Sequence, residues 1–239
     1  MPEDNLINMK KNKYFLVVPA SGIGQRMNSK IPKQYLKLEN GLSILDQCLE
    51  STLSSEFISG FIVALDKKDK LFKSSVFAAH EKLISIVNGG KERFHSVQSA
   101  LSELSQIAKP DDWVLVHDAV RPCIKKDDIH KLIEEVGDDK VGGILADKVV
   151  DTVKQNSNGL VSTIDRKKLH IAQTPQMFRF GILKEAIEKA IKLNIHVTDE
   201  SEALECLGYS IRIVDGSSSN IKITTQEDLE LANYYLKQL

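Results

Sequence analysis

The chain has 239 residues, 42% of them hydrophobic, which is enough to bury the core of one substantial α/β domain. Its 32 basic and 33 acidic side chains nearly cancel, which argues against a charged surface that would attract nucleic acid or an anionic membrane. The first 13 residues are polar, and no later apolar run approaches the roughly 20 residues of a membrane helix. We therefore predict a soluble, cytoplasmic protein with a polar extension at 1–13 and a single domain at 14–239.

A loop of small residues follows the first predicted strand, which spans residues 14–18. Small residues come first and cations follow: Ala20, Ser21, Gly22, Gly24, Arg26, Lys30 and Lys33. A bare backbone lets main-chain N–H groups approach an anion closely, and the cations can neutralise its charge. The third glycine of a dinucleotide fingerprint and the Gly-Lys-Ser/Thr of a P-loop are both missing. The pattern favours a nucleoside triphosphate site of another design.

Short apolar runs rich in β-branched residues alternate with amphipathic stretches of helical period along the chain. We predict strands at 14–18, 58–65, 83–87, 113–116 and 141–146. We predict helices at 43–53, 94–107, 181–193, 199–207 and 225–239. This order predicts an α/β fold with a Rossmann-like, mostly parallel sheet and helices on both of its faces.

Unusual loops follow the first, third and fourth predicted strands. The third strand leads into residues 88–93, which contain two glycines and three charges, and the fourth leads into 117–122, which contain a histidine, an aspartate and an arginine. Ligands of such sheets bind at the carboxyl ends of the strands. We therefore expect these three loops to form one site.

The alternation of strands and helices breaks between residues 148 and 166. Two β-prone runs flank Asn156-Ser157-Asn158-Gly159, a pattern typical of a hairpin, and we predict a projecting arm there. An isolated two-stranded hairpin is marginal in water, so the arm should pack against something. A second subunit is one candidate, and the arm's own subunit is the other, since either would need the same apolar residues.

The three cysteines, Cys48, Cys123 and Cys206, lack the spacing of a metal site and are odd in number. Reduced thiols are the expectation for a cytosolic protein. We predict that Cys48 and Cys206 are buried. Cys123 follows Arg121 and Pro122, which makes it a candidate for lining a pocket without reacting.

Several motifs, taken together, resemble one family. They follow one another between residues 17 and 228: Val18-Pro19-Ala20-Ser21-Gly22 with Gly24, Arg26 and Met27, Pro32-Lys33-Gln34-Tyr35, Gly89-Gly90 with Glu92-Arg93 and Ser96-Val97, Val116-His117-Asp118-Ala119 with Arg121-Pro122, Asp151-Thr152, Thr174-Pro175-Gln176, Thr198-Asp199-Glu200, and Asn220-Ile221-Lys222-Ile223-Thr224. On these motifs the chain resembles the 2-C-methyl-D-erythritol 4-phosphate cytidylyltransferase family of the non-mevalonate isoprenoid pathway.

The resemblance implies a nucleotidyltransferase fold and a reaction with Mg²⁺, or another divalent cation. The phosphate oxygen of methylerythritol phosphate would attack the α-phosphorus of CTP and give the CDP-linked methylerythritol and pyrophosphate. Such a transfer needs alignment of the reactants and neutralisation of charge on the phosphoryl oxygens. The resemblance makes Arg26 and Lys33 the catalytic residues that stabilise the transition state. For each of them the alternative is a solvated surface cation.

The resemblance also implies which residues surround the nucleotide: Pro19, Ala20, Ser21, Gly22, Gly24, Gly90, Ser96, Asp118 and Ala119. Asp118 follows an apolar run, so its carboxylate should emerge at the edge of the sheet, where an oxygen ligand suits Mg²⁺. A helix-capping role is the alternative for Asp118. His117 is expected to be structural, since an anionic nucleophile needs no general base. Lys91 stands where relatives often carry an aspartate.

Five residues would contact the phosphate of the second substrate: Thr152, Arg166, Thr174, Lys222 and Arg121. In the resembled enzymes the hairpin arm crosses a homodimer, so Thr152 and Arg166 would act at the site of the partner subunit. For Arg121 the alternative is pairing with a neighbouring carboxylate. For Lys222 it is a solvated charge on a strand.

Two rival functions remain open from the residues. A ribitol 5-phosphate cytidylyltransferase shares the fold and most nucleotide motifs and differs mainly in the polyol pocket. A nucleotide-binding protein without catalysis is the other rival. The presence of cations for both reactants argues against the second rival, because binding alone does not require them.

Overall fold

A computed structural model of the protein describes residues 12–22 and 31–239. The predictions that concern Gly24, Arg26 and most of the polar extension lie outside the described residues. The described part contains a large mixed sheet, helices on both faces of that sheet and a separate hairpin.

Seven strands form the main sheet: β1 (Tyr14–Pro19), β2 (Ile58–Leu65), β3 (Leu83–Asn88), β4 (Trp113–Val116), β5 (Gly142–Lys148), β8 (His170–Arg179) and β9 (Arg212–Asp215). Their order across the sheet is β3-β2-β1-β4-β8-β5-β9. Neighbouring strands are parallel except at β8, which runs antiparallel to both β4 and β5. The predicted α/β class with a mostly parallel sheet is confirmed.

The central strands are buried on both faces, as their unbroken apolar sequences require. In β1, Leu16 and Val18 point to one core cluster and Phe15 and Val17 to the other, because successive side chains of a strand face opposite ways. Trp113 of β4 is also fully buried. The sheet therefore separates two apolar layers, each covered by helices.

The helices with more than one turn are α1 (Ile44–Leu53), α2 (Arg93–Leu104), α3 (Lys126–Val136), α4 (Phe180–Lys192), α5 (Glu200–Glu205) and α6 (Gln226–Leu236). Helices α1 and α3 bury residues in the first layer, and α2, α4 and α5 bury residues in the second. Ser43 and Thr225 begin α1 and α6 with capping boxes, so the side chain of each accepts a bond from an otherwise unpaired backbone N–H. Helices on both faces were predicted, and this is confirmed.

Among the strands and the longer helices, three were not predicted: α3, β8 and β9. Strand β8 is hidden by its composition, because buried Gln173, Thr174 and Gln176 and a proline interrupt its apolar residues. Polar residues and proline are unusual in a central strand. Here the polar side chains have partners outside the strand: Thr174 accepts the N–H of Asp118, Gln176 donates to Asp199, and Gln173 donates to the carbonyl of Ser217.

The predicted arm is confirmed as a two-stranded antiparallel hairpin of β6 (Val153–Ser157) and β7 (Leu160–Ile164). Its turn residues Asn158 and Gly159 both have positive φ, 53° and 87°, which is the conformation that tight hairpins favour. Nearly all side chains of the arm are exposed.

The described thiols are free, but they are placed differently from the predictions in two cases. Cys48 is buried as predicted, whereas Cys206 is exposed just after α5, so the prediction of its burial is wrong. Cys123 lies fully buried in a small cluster with residues of α1 and α6, away from the pocket it was expected to line. Among the described residues, no helix has both the length and the apolar character needed to cross a membrane.

Candidate active site

A pocket of about 260 Å³ opens at the carboxyl ends of β1, β3 and β4, where the three unusual loops come together. Its lining comes from all three loops, from the segment with Lys33 and from the segment with Lys222: Pro19, Ala20, Ser21, Gly22, Lys33, Gln34, Gly90, Lys91, Glu92, Arg93, Asp118, Ala119, Val120 and Lys222. Nine of the residues selected from the sequence therefore lie around one cavity. They are Pro19, Ala20, Ser21, Gly22, Lys33, Gly90, Asp118, Ala119 and Lys222.

The loops after β1 and β3 are locked together by hydroxyl groups and glycines. Ser21 Oγ lies 2.8 Å from Ser96 Oγ, which accepts the N–H of Gly90 at 3.1 Å. A Cβ atom at Gly89 would lie 2.4 Å from Ser21 Cβ, and one at Gly90 would lie 2.2 Å from His95 Cβ. Only glycine fits at these two positions, so Gly89 lets the wall of the pocket pack against the first loop and Gly90 lets it pack against α2.

Lys33 lines the pocket from a short 3-10 helix, Lys33–Tyr35. Its Nζ donates to the carbonyl of Ile223 at 3.1 Å, next to Lys222 in sequence. The neighbouring Gln34 is buried and donates from Nε2 to the carbonyl of Ala20 at 2.7 Å. The segment that carries Lys33 is thus tied both to the first loop and to the segment before α6.

Asp118 is the centre of a group of ion pairs. Its Oδ1 accepts Nε of Arg93 at 2.8 Å, and its Oδ2 lies 2.9 Å from Nζ of Lys222 and 3.6 Å from Nε of Arg121. Burial by itself would raise the pKa of this carboxyl group, but the three cations hold the pKa well below its ordinary value. Asp118 is therefore ionised and fixed in direction on the pocket wall.

Arg93 also reaches a second carboxylate. Its Nη1 lies 2.5 Å from Oε1 of Glu200, the first residue of α5, which is fully buried. Burial raises the pKa of Glu200, and the nearby Arg93 opposes this rise. One guanidinium group thus joins the loop after β3, the loop after β4 and α5.

His117 and Thr174 form a hydrogen-bonded chain behind Asp118. Burial lowers the pKa of His117 to about 4, so its ring is neutral at physiological pH. Its Nε2 lies 3.0 Å from the carbonyl of Arg121, which can only accept, so the proton is on Nε2 and Nδ1 accepts the hydroxyl of Thr174 at 3.0 Å. Oγ1 of Thr174 in turn accepts the N–H of Asp118 at 3.0 Å.

Two predicted phosphate ligands therefore lie behind the pocket wall. The hydroxyl of Thr174 is occupied at both ends, and Arg121 donates from Nη1 to the carbonyl of Asn220 at 2.7 Å. Asn220 itself donates to the carbonyl of Thr174 at 2.8 Å. These contacts connect the loop after β4, the strand β8 and the segment that carries Lys222.

The arm does not bring its two predicted residues to the pocket of its own chain. Thr152 and Arg166 are exposed and are absent from the pocket lining. Arg166 donates to the carbonyl of Val150 instead. The same region exposes Val150, Leu160 and Val161, which are 75%, 79% and 65% accessible.

Four residues with a clear structural part in the site were not selected from the sequence: Gln34, Arg93, Glu200 and Asn220. Each lies within a motif that carries the family resemblance, but no local pattern distinguishes its role. Within the described ranges, no group of three or more His, Cys, Asp or Glu side chains has the geometry of a metal site.

Comparison with known proteins gives consistent matches over almost the whole chain. The family model described as 2-C-methyl-D-erythritol 4-phosphate cytidylyltransferase matches residues 14–238. The enzyme of that name from Ruthia magnifica is 52% identical over 232 residues, covering 94% of this chain and 97% of the relative.

Solved structures of enzymes with such names also match the chain. The structure of the Francisella tularensis enzyme of the same name has a TM-score of 0.81 at 39% identity, covering 94% of this chain and 100% of that one. The 4-diphosphocytidyl-2C-methyl-D-erythritol synthase from Anaerococcus prevotii has a TM-score of 0.82 at 29% identity, covering 97% and 99% of the two chains.

Proposed function

The chain belongs to the 2-C-methyl-D-erythritol 4-phosphate cytidylyltransferase family, and we propose that the pocket at the carboxyl ends of β1, β3 and β4 is its active site. The protein transfers a cytidylyl group from CTP to 2-C-methyl-D-erythritol 4-phosphate in isoprenoid precursor biosynthesis. A phosphate oxygen of the polyol phosphate bonds to the α-phosphorus of CTP. The bond from that phosphorus to the bridging oxygen breaks, and its electron pair leaves with pyrophosphate.

The pocket is assigned as the active site because a wall of small residues and several cations lie around the same cavity. Gly90 and the small residues of the first loop line one side of the cavity, and Lys33, Arg93 and Lys222 also line it. A polyphosphate needs close approach to main-chain N–H groups together with positive charge. The small residues of the wall leave room for such an approach, and Lys33 and Lys222 can supply the charge.

Lys33, with Arg26, stabilises the transition state in this proposal. Charge grows on the phosphoryl oxygens as the new bond forms, and a fixed cation that meets this charge lowers the barrier more than it strengthens substrate binding. The bond from Lys33 Nζ to the carbonyl of Ile223 supports the assignment, because it holds the ammonium group at the pocket before any substrate arrives.

The polyol phosphate would bind on the side of Asp118 and Lys222. Lys222 is 43% exposed on its flexible stem, so its ammonium group can turn from Asp118 towards an incoming phosphate. Arg121 and Thr174 would support this side from behind through Asp118 and Asn220. A direct contact of either residue with the phosphate stays a prediction.

A homodimer with exchanged arms would complete the site. The exposed apolar residues of the arm, together with the absence of Thr152 and Arg166 from the lining of their own pocket, support this proposal. An apolar surface of this kind is typical of a protein interface. The arm of one subunit would then deliver Arg166 to the phosphate in the pocket of its partner.

Magnesium fits the donor chemistry of the pocket. Mg²⁺ is usually held by one or two carboxylates together with substrate phosphates, and Asp118 offers one carboxylate on the pocket wall. Asp118 would hold the ion once Lys222 turns away from Oδ2. When bound, the ion would supply additional positive charge to the triphosphate.

A cytoplasmic location stays a prediction from the sequence.

The direct test is to incubate the purified protein with CTP and Mg²⁺ and either methylerythritol phosphate or ribitol 5-phosphate, and to measure pyrophosphate. We expect release with methylerythritol phosphate and little with ribitol 5-phosphate. The reverse preference would assign the ribitol enzyme. Binding of CTP without release of pyrophosphate from either alcohol would indicate a nucleotide-binding protein without catalysis.

A further inference from the structure

Glu200 is a buried carboxylate for which the reaction has no direct use. Its side chain has no solvent exposure, and its Oε1 contacts Arg93, whereas Oε2 has no hydrogen-bond partner among the described residues. A buried charge with an unpaired oxygen is costly, and a buried ion pair contributes little net stability compared with apolar packing. Stability alone is therefore a poor explanation for a glutamate at this position.

The residues on both sides of Glu200 are hydrogen-bonded to one side chain of the sheet. Gln176 of β8 donates from Nε2 to Asp199 at 2.9 Å and accepts the N–H of Ser201 at 3.0 Å, so it clamps the residues on both sides of Glu200. Gln176 is paired in the sheet with Val116, two residues before Asp118. The position of Glu200 is therefore set by β8, which pairs with β4 directly before the loop that carries Asp118.

Arg93 links Glu200 to the pocket. Its Nη1 is bound to Glu200 and its Nε to Oδ1 of Asp118, while Lys222 and Arg121 lie near Oδ2. The planar guanidinium group has its donors in a fixed fork, so binding at one end restricts the direction of the other. Without Glu200, Arg93 would be free to turn towards the phosphates of a bound nucleotide.

Building on the proposed function, we propose that Glu200 is a positioning residue for the reaction: acting through Arg93, it fixes the carboxylate of Asp118 so that Oδ2 faces Lys222 and the pocket. The effect of Glu200 on catalysis must then depend on the presence of Arg93. Arg93 begins α2 directly after the loop that carries Gly90 and Lys91 in the pocket lining, so the nucleotide side of the site is held by the same contact.

The test is a double-mutant cycle with Glu200→Gln, Arg93→Gln and the double variant, measured by pyrophosphate release in the full-length protein. Glutamine keeps the size of the side chain and removes its charge. We expect Glu200→Gln to lower kcat by about tenfold and to change the KM for CTP by less than about twofold. In the Arg93→Gln background the same change should have no further effect on kcat/KM, because the contact that transmits it is already gone.

Glu205→Gln is the matched control, since Glu205 is an exposed residue of the same helix. We expect it to keep the kcat of the wild type. Thermal unfolding of every variant separates a positioning role from a structural one, because a purely structural glutamate would change the melting temperature and leave the kcat of the folded enzyme unaltered.

Three outcomes would overturn the proposal: a folded Glu200→Gln enzyme with wild-type kcat, a loss of activity caused mainly by a raised KM for CTP, or independent, multiplying effects of Glu200 and Arg93. Should Glu200→Gln not fold, Arg93→Lys provides the second test. Lysine keeps the charge but lacks the fork, so the proposal requires a loss of kcat, and wild-type kcat would contradict it. A wild-type protein that releases no pyrophosphate would refute the proposed function instead, which distinguishes the two failures.

Discussion

The pocket and the arm differ in how many of their contacts a single chain provides. Around the pocket, Ser21, Gly90 and Ser96 bond to one another, and Asp118 has cationic partners on both of its oxygens. On the arm, Leu160 and Val161 are exposed, and the guanidinium group of Arg166 donates to the carbonyl of Val150. The difference supports the proposal that one subunit forms the pocket, whereas the arm would gain its contacts from a partner subunit.

The largest effect should come from the pocket cation Lys33. Lys33→Ala should lower kcat by about 100- to 1,000-fold, the usual loss when one group that stabilises a developing charge is removed, with a much smaller change in CTP affinity. Pyrophosphate release and calorimetric titration with CTP measure the two quantities. Lys37→Ala, at an exposed position nearby, is the control. Equal losses in kcat and affinity would contradict a role in the transition state.

His117 should make the pocket side of the molecule sensitive to acid. The pKa of His117 is about 4 in the folded protein and about 6.5 in the unfolded chain, so the unfolded chain takes up the proton first as the pH falls. The stabilisation is complete above pH 6.5 and should be lost progressively down to about pH 4, by on the order of 3 kcal/mol.

Denaturant unfolding at a series of pH values measures this loss. His117→Gln should remove the dependence in that window, and His196→Gln, at a side chain that is 69% exposed, should retain it. A dependence that survives in His117→Gln would assign the acid sensitivity to other groups.

A substitution at Gly89 tests how closely the first two loops of the pocket must approach each other. A Cβ atom there would overlap Ser21 Cβ at 2.4 Å and Ser96 Oγ at 2.9 Å, so Gly89→Ala should lower the free energy of unfolding by about 1–3 kcal/mol and weaken CTP binding. Chemical denaturation and CTP titration measure both. Ser102→Ala, at an exposed position of α2, should change neither. Wild-type stability in Gly89→Ala would show that the loops can separate without loss.

A mixture of Lys33→Ala and Arg166→Ala subunits compares the two regions directly, with the smallest expected effect. If arms are exchanged, each mixed dimer has one intact site, and a random equal mixture should recover about one quarter of the wild-type activity. If each arm serves its own subunit, no site is intact and no activity returns. Subunits must first be exchanged and the mixed dimers demonstrated by mass spectrometry.

Much of the fold was predictable from local pattern. The buried strands β1, β2 and β4 are short apolar runs, and the hairpin has an Asn-Gly turn. Strand β8 was missed because the polar residues that make it important to the site also disguise it. The buried side chain of Gln176 bonds to Asp199 and Ser201, which lie outside the strand. The sequence of the strand alone therefore does not predict that this glutamine is buried.

By itself, the sequence determined the α/β class, the three loops at the carboxyl ends of the strands and the small residues that form the pocket wall. These features depend on periodicity and on backbone freedom, which neighbouring residues decide. Only the tertiary structure decided which charges meet. Arg93 and Glu200 are 107 residues apart in sequence, and their contact exists because β8 inserts between β4 and β5 and brings α5 beside the pocket. The pairing of buried charges depends on such distant packing, and local pattern does not contain it.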